Sequence, residues 1–257
     1  MTVLIGVPTM GGVVKAEFAG SLATIIGEIV EGGRRFRYLT MDNSVLIQTR
    51  NYMLNVMMQD ADVTHLFFLD SDVAIPRGIT TRLLDADMPI AGVLYTRRSL
   101  DRARLAEALQ SGLSMEQAEA AASSFAGNVW SEDGRLRVQD GFVRIRHLPF
   151  GCALIARSAC AAMIEAGIAK PMKGDWLRRY GLPEPHWDFF QQELSEMELE
   201  FTEDFAFCNN YHRLPDARIV AIADAKVGHV GSYAYGGTFL DHLEASRTLA
   251  ARRGGGA

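Results

Sequence analysis

His65-Leu66-Phe67-Phe68-Leu69-Asp70-Ser71-Asp72-Val73 decides how the rest of the chain is read. Leu66 to Leu69 are apolar and run straight into two carboxylates separated by one serine. The run is too short for a surface helix and reads as a strand buried on both faces. Open α/β sheets bind ligands beyond the carboxyl ends of their strands, and Asp70 and Asp72 fall there. Two carboxylates this close raise each other's cost of ionisation. One reading is a divalent cation that removes the cost, with hard oxygen ligands suited to Mg2+ or Mn2+. The other is an Asx-type turn with both carboxylates solvated. The stretch alone leaves both open.

With 257 residues, 48% of them hydrophobic, the chain can bury a substantial core as one large domain or two closely packed ones. A formal charge of -5 is mild and gives no broad basic footprint for a nucleic-acid backbone. Cys152, Cys160 and Cys208 show no CxxC spacing and read as reduced, buried thiols of an intracellular protein. No apolar run reaches membrane-spanning length, and Met1 to Ile5 reads as structure rather than a signal peptide, so the expected location is cytoplasmic. Arg252 to Gly256 reads as a frayed end.

Working outward, Thr2 to Val7 is a strand ending in Pro8-Thr9-Met10-Gly11-Gly12, followed by an amphipathic helix from Lys15 to Val30. This is how a nucleotide-binding α/β unit opens, but the loop has neither GxGxxG nor GxxxxGK[ST]. Phe36 to Thr40 is a second strand, with Asp42 just beyond it. Asn43 or Ser44 is the expected cap of a helix from Val45 to Gln59. On that helix Arg50 and Asn51 stand side by side among apolar residues. The Arg fork suits phosphate or carboxylate, although a solvent-facing Arg would read the same way. A short helix from Arg77 to Asp85 and a strand from Ile90 to Leu94 complete a β-α-β-α-β-α-β order, which implies a parallel sheet wrapped by helices.

Ser99 to Ala126 is Ala-rich and broken by Gly112 into two helices. Asn128 to Val138 reads as a hairpin turning at Asp133-Gly134. Phe142 to His147 is a strand, and so is Leu148 to Ile155, where Gly151 permits close approach of a ligand or another segment. Ser158 caps the next helix. Lys170 to Glu200 is aromatic and irregular, as lids and specificity loops often are. Thr202-Glu203-Asp204 opens a helix through Tyr211, and its dipole alone favours two carboxylates in the first turn. Val227 to Tyr233 is a Gly-flanked loop around His229, and Phe239 to Arg252 is a terminal helix.

Pro8-Thr9, Arg50-Asn51, Asp70-Ser71-Asp72, Gly151, Glu203-Asp204 and His229, taken in this order, resemble the GT-A class of nucleotide-sugar-dependent glycosyltransferases. The resemblance covers most of the chain outside the insertion from Ser99 to Phe125. It implies an α/β, Rossmann-like fold with a mostly parallel central sheet flanked by helices and a smaller mixed sheet on the acceptor side. One integrated domain would comprise a nucleotide-sugar half, 1–98, and a half carrying the insertion and the acceptor site, 99–257. The implied activity is metal-dependent transfer of a sugar from a UDP- or GDP-sugar to an acceptor hydroxyl. Mn2+ or Mg2+ would be held by Asp72, by Asp70 (which instead could face the ribose) and by His229, whose nitrogen favours Mn2+. Pro8, Thr9, Asp42, Arg50, Asp70 and Ser71 would border the nucleotide. Glu203-Asp204 matches the acidic helix start of inverting members, with Asp204 as general base. Gly151 and Cys152 would lie under the acceptor, and Trp176, Trp187 and Phe189 would form a stacking platform.

No Gln-x-x-Arg-Trp motif follows Asp204, which points away from processive polysaccharide synthases. A sugar-phosphate nucleotidyltransferase would want a Gly-rich loop with an Arg and a Lys after the first strand, which Pro8 to Val14 does not supply. Two other readings are drawn from the same residues. Leu69 to Ala74 resembles the DxDx[TV] signature of haloacid-dehalogenase-type phosphatases, but Ala74 breaks it and two β-α units precede it. A non-catalytic binding protein with the same fold is the other.

Overall fold

The structure, a computed structural model, describes residues 1–131, 135–172, 176–191, 202–231 and 234–254. In chain order its elements are β1 (Thr2–Thr9), α1 (Ala16–Glu31), β2 (Arg35–Asp42), α2 (Leu46–Gln59), β3 (His65–Leu69), β4 (Val73–Ala74), α3 (Ile79–Asp85), β5 (Ile90–Val93), β6 (Thr96–Leu100), α4 (Arg102–Gln110), α5 (Met115–Ala122), β7 (Ser123–Phe125), β8 (Asn128–Val129), β9 (Val138–Gln139), β10 (Phe142–His147), β11 (Cys152–Ala156) and α6 (Arg157–Glu165). They continue with β12 (Lys170–Pro171), α7 (Trp176–Arg179), β13 (Trp187–Asp188), α8 (Glu203–Tyr211), β14 (Ile219–Ile222), β15 (Gly228–Val230), β16 (Ala234–Tyr235) and α9 (Phe239–Gly254).

The central sheet is ordered β2-β1-β3-β11-β5-β14-β10-β8, with β9 added beside β10. Strands β2, β1, β3, β5 and β14 run the same way, while β11 lies antiparallel between β3 and β5, and β10 is antiparallel to β14. The fold is therefore α/β with a large, mostly parallel sheet flanked by helices. The β-α series alone could not show that β11, from much later in the chain, enters the middle of the sheet. It does so because Cys152, Ala153, Leu154, Ile155 and Ala156 are buried and can pair on both edges.

The period of two divides the core between the sheet's faces. Val3, Ile5, Val7, Phe67 and Leu69 pack with Phe18, Ile25 and Ile29 of α1 and with Leu83 of α3. Leu4, Leu66 and Phe68 pack on the opposite face with Met53, Leu54 and Met57 of α2 and with Phe207 and Cys208 of α8. Each such side chain taken fully out of water contributes about 1.5–3 kcal/mol. Ala108, Ala118, Ala121, Ala245 and Leu249 form a separate small core, so the Ala-rich insertion packs on α9. At the end of the sheet away from β8, β2 pairs only with β1 among the described residues and is mostly exposed, with Arg35 and Arg37 placing charge there as edge strands commonly do.

Several local expectations are corrected. Val45 rather than Asn43 or Ser44 is the N-cap of α2, while the Asn43 side chain accepts the Val45 N–H at 2.9 Å in the turn before it. Ala156, not Ser158, precedes α6. Strands β8 and β9 do not pair with each other; each adds to a different part of β10. The expected Asp133-Gly134 turn lies outside the described residues, as do 173–175 and 192–201 of the aromatic segment, Ser232-Tyr233 after His229, and Gly255-Gly256 at the end. Thr96 to Leu100 forms a strand paired with β7, which the composition of the insertion had hidden. Among the described residues three smaller sheets accompany the central one, β16-β15-β4, β6-β7 and β12-β13, and all their pairings are antiparallel.

Candidate active site

Strands β1, β3 and β5 end on the same side of the sheet. There Thr9 pairs with Asp42, and the Lys15 N–H donates to the Ser71 carbonyl at 2.9 Å. Pro8, Thr9, Asp42 and Ser71 are thus gathered at one rim. Asp70 and Asp72 would share a face if the strand continued. It does not, because the Val73 N–H bonds back to the Asp70 carbonyl and turns the chain. The two carboxylates consequently part.

Asp70 faces inward. Its Oδ1 accepts Nη2 of Arg50 at 3.1 Å, and Nη1 of the same guanidinium donates to Glu203 Oε1. Arg50 is 2% exposed. Its guanidinium carbon lies 5.8 Å from the Phe68 ring centre and 5.5 Å from that of Phe150, and the two rings stack. Burial pulls the Arg50 pKa down, but Asp70, Glu203 and Asp204 together raise it, so the cation is secure. Burial raises the Glu203 pKa, with Arg50 opposing. One planar fork thereby ties α2, β3 and α8 together, a role that suits Arg and not Lys.

Asp72 faces the other way. Its Oδ1 is 3.5 Å from Nε2 of His229, and its Oδ2 accepts Arg98 Nη1 at 2.9 Å. Backbone register produces the encounter: β15 pairs antiparallel with β4, His229 opposite Val73, and the Val230 N–H donates to the Asp72 carbonyl at 2.8 Å. His229 Nδ1 lies 2.9 Å from the Thr96 carbonyl. A carbonyl only accepts, so Nδ1 carries the proton. Burial pushes the Asp72 carboxyl up, but the hydrogen bond and charge of His229 and the charge of Arg98 hold it below its ordinary value.

Tyr95 connects the two halves, and it was not among the residues singled out from the sequence, nor was Arg98. Its ring meets His229 edge to face at 5.2 Å, and its hydroxyl accepts the Gly151 N–H at 3.1 Å. Position was the available signal, since Tyr95 to Arg98 follow β5 just as Asp70 follows β3. Gly151 proves to be the site of close approach by chain segments: its carbonyl accepts the Asp70 N–H at 3.0 Å. A Cβ there would overlap the Tyr95 hydroxyl and lie 2.7 Å from Asp70 Oδ2. Gly151→Ala is therefore expected to destabilise the fold by about 1–3 kcal/mol. Thermal melting checks this, with partial recovery expected in Gly151→Ala/Tyr95→Phe.

Thr202 precedes α8 as expected, but its hydroxyl makes no capping bond and donates instead to Asp204 Oδ1, which also accepts the Phe205 N–H at 2.9 Å. Asn51 and Asn55 are occupied by the chain itself: they bond Asp188 and Phe189, and Trp187, respectively. Phe189 is fully buried, so no face of it is open for stacking. Trp187 and Trp176 are partly buried against the core, Trp176 edge-on to Tyr180. The Cys152 thiol is fully buried, and burial and nearby Asp70 push its pKa up. Among the described residues no three His, Cys, Asp or Glu side chains converge as a metal cluster. Asp72 and His229 form a pair of potential ligands.

No protein-family profile matches the sequence, and no curated protein is similar to it. Solved structures similar in fold include protein A197 from STIV, with 13% identity and TM-score 0.47 over 90% of this chain and 86% of that one. They also include GalNAc-T7 with UDP, GalNAc and Mn2+, with 12% identity and TM-score 0.46 over 90% of this chain and 43% of the GalNAc-T7 chain. No helix among the described residues is long and apolar enough to cross a membrane.

Proposed function

We propose that the chain is a GT-A-type glycosyltransferase that moves a sugar from a UDP- or GDP-sugar to an acceptor hydroxyl with inversion. The observation that carries this is the Asp72–His229 pair. His229 Nδ1 donates to the Thr96 carbonyl, so Nε2, 3.5 Å from the Asp72 carboxylate, is the ring nitrogen left to ligate a metal ion. A second-layer carbonyl that fixes a histidine tautomer is the usual support of a metal-ligating imidazole. One oxygen and one nitrogen ligand fit Mn2+ or Mg2+ of the kind that takes its remaining ligands from substrate phosphates and water. When bound, the ion would neutralise charge on the departing diphosphate.

The chain's own residues do the rest. Pro8, Thr9, Asp42 and Ser71 border the nucleotide at the rim. Asp70, held by Arg50, faces the donor side. Arg50 places Glu203 and so orients the start of α8. Asp204, the carboxylate of that first turn not paired with Arg50, takes the acceptor proton as the oxygen attacks. Trp176 and Trp187 supply apolar surface near the acceptor half. The phosphatase reading fits less well, because it asks Asp70 to act as nucleophile while its Oδ1 is engaged by Arg50.

A hydrolysis screen of common nucleotide sugars with Mn2+ should identify the donor, and calorimetry then tests the site. Asp72→Ala is expected to weaken Mn2+-dependent donor binding by more than the roughly 10–100-fold typical of losing an outer-shell partner. Unaltered Mn2+-dependent affinity removes Asp72 from the site. Failure of every nucleotide sugar to bind at millimolar concentration removes the transferase reading.

A further inference from the structure

A cavity of about 760 Å3 opens on the α1/α3 side of the sheet, against β14 and β10, in the size range of small-molecule sites. It shares no residue with the site above. Ala86 and Met88, just before β5, line it, whereas Tyr95 to Arg98 follow that strand.

The lining reverses the sign of the acidic chain. Arg82, Arg135, Arg144 and Arg218 face it, against Asp85 and Asp140. Asp85 is already paired with Arg34, and Arg82 with Asp224 at 2.8 Å. Arg135, Arg144 and Arg218 have no ion pair with a carboxylate among the described residues. Three elements converge. Arg144 lies opposite Val220 on β14, and Arg218 is two residues earlier on the same face, a diagonal of about 7–8 Å. Arg82 reaches over from α3, its guanidinium 5.9 Å from the Phe142 ring centre. Arg144 covers Trp130 at 4.8 Å, giving the cavity one flat wall. Guanidinium forks match phosphate oxygens in pairs, and a concave site of one sign concentrates counter-ions. Four guanidinium forks around one cavity are more than a single phosphate can engage in pairs.

We propose that this cavity binds a ligand carrying two or more phosphoryl groups, at a site separate from the Asp72–His229 pair. Calorimetry on the full chain, at low salt and with EDTA to silence metal-dependent phosphate binding, tests it with sodium tripolyphosphate and sodium orthophosphate as probes. Tripolyphosphate should bind at least about tenfold more tightly than orthophosphate. Arg144→Gln/Arg218→Gln, both at exposed positions, should weaken tripolyphosphate about tenfold or more with an unchanged melting curve, and Asp72→Ala should have no effect. Should the double variant fail to fold, Arg135→Gln, also exposed, is expected to weaken binding several-fold. Equal binding of the two probes, no binding, or wild-type affinity in the folded variants overturns the proposal.

Discussion

Asp204→Asn is expected to leave donor affinity unchanged and to lower transfer turnover by roughly 10²–10⁴-fold, the contribution of a positioned general base. The substitution is nearly isosteric. An Asn Oδ1 still accepts from the Thr202 hydroxyl and the Phe205 N–H, as Asp204 Oδ1 does. The start of α8 therefore stays in place, and only the capacity to take a proton is lost. Glu203 cannot stand in, because Arg50 holds its carboxylate. Steady-state kinetics and thermal melting distinguish the possibilities. A fall in kcat with unchanged KM for the donor and unchanged Tm supports the assignment, and wild-type turnover strips Asp204 of it.

Arg50→Leu should cost roughly 3 kcal/mol, the lower part of the range for breaking a buried ion pair, since Asp70 and Glu203 keep some water. Their side chains are 29% and 17% exposed against 3% for Arg50. In a chain of this length that lowers Tm by roughly 6–12 °C. The loss arises mainly because two carboxylates are left facing one another beside the Phe68 and Phe150 rings, not because an attraction disappears. Adding Glu203→Gln should therefore recover part of it, a coupling that a double-mutant cycle measures. Arg50→Lys should not restore wild-type stability, since one ammonium cannot bond Asp70 and Glu203 through two parallel arms. A melting temperature for Arg50→Leu within about 2 °C of wild type would show that the network is not stabilising.

The early β-α repeats were legible because their signals are local. Short continuous apolar runs and an amphipathic segment at period 3.6 identify β1, α1, β3 and β5 from a few consecutive residues, and they place Asp70, Thr9 and Tyr95 at one end of the sheet. Arg50 was legible as a residue in need of partners, since an arginine among Met53, Leu54 and Met57 must be compensated. Which partners it finds depends on Glu203, 153 positions away. Caps were harder, because Asn43, Ser158 and Thr202 all have capping chemistry, and their side chains turn instead to the backbone and carboxylates beside them or leave the cap position to a neighbour.

The amino-acid order by itself determined the layered α/β arrangement and which residue types stand at the strand ends, because burial patterns and residue types are properties of short stretches. Tertiary structure alone decided how those residues combine. The turn at Ser71 separates two carboxylates that an extended strand would have kept together. The β4–β15 pairing brings His229 beside Asp72, and β11 enters the middle of a sheet whose neighbouring strands come from earlier in the chain. Each depends on backbone hydrogen bonds between distant segments, and such bonds leave no periodic trace in the residues they join.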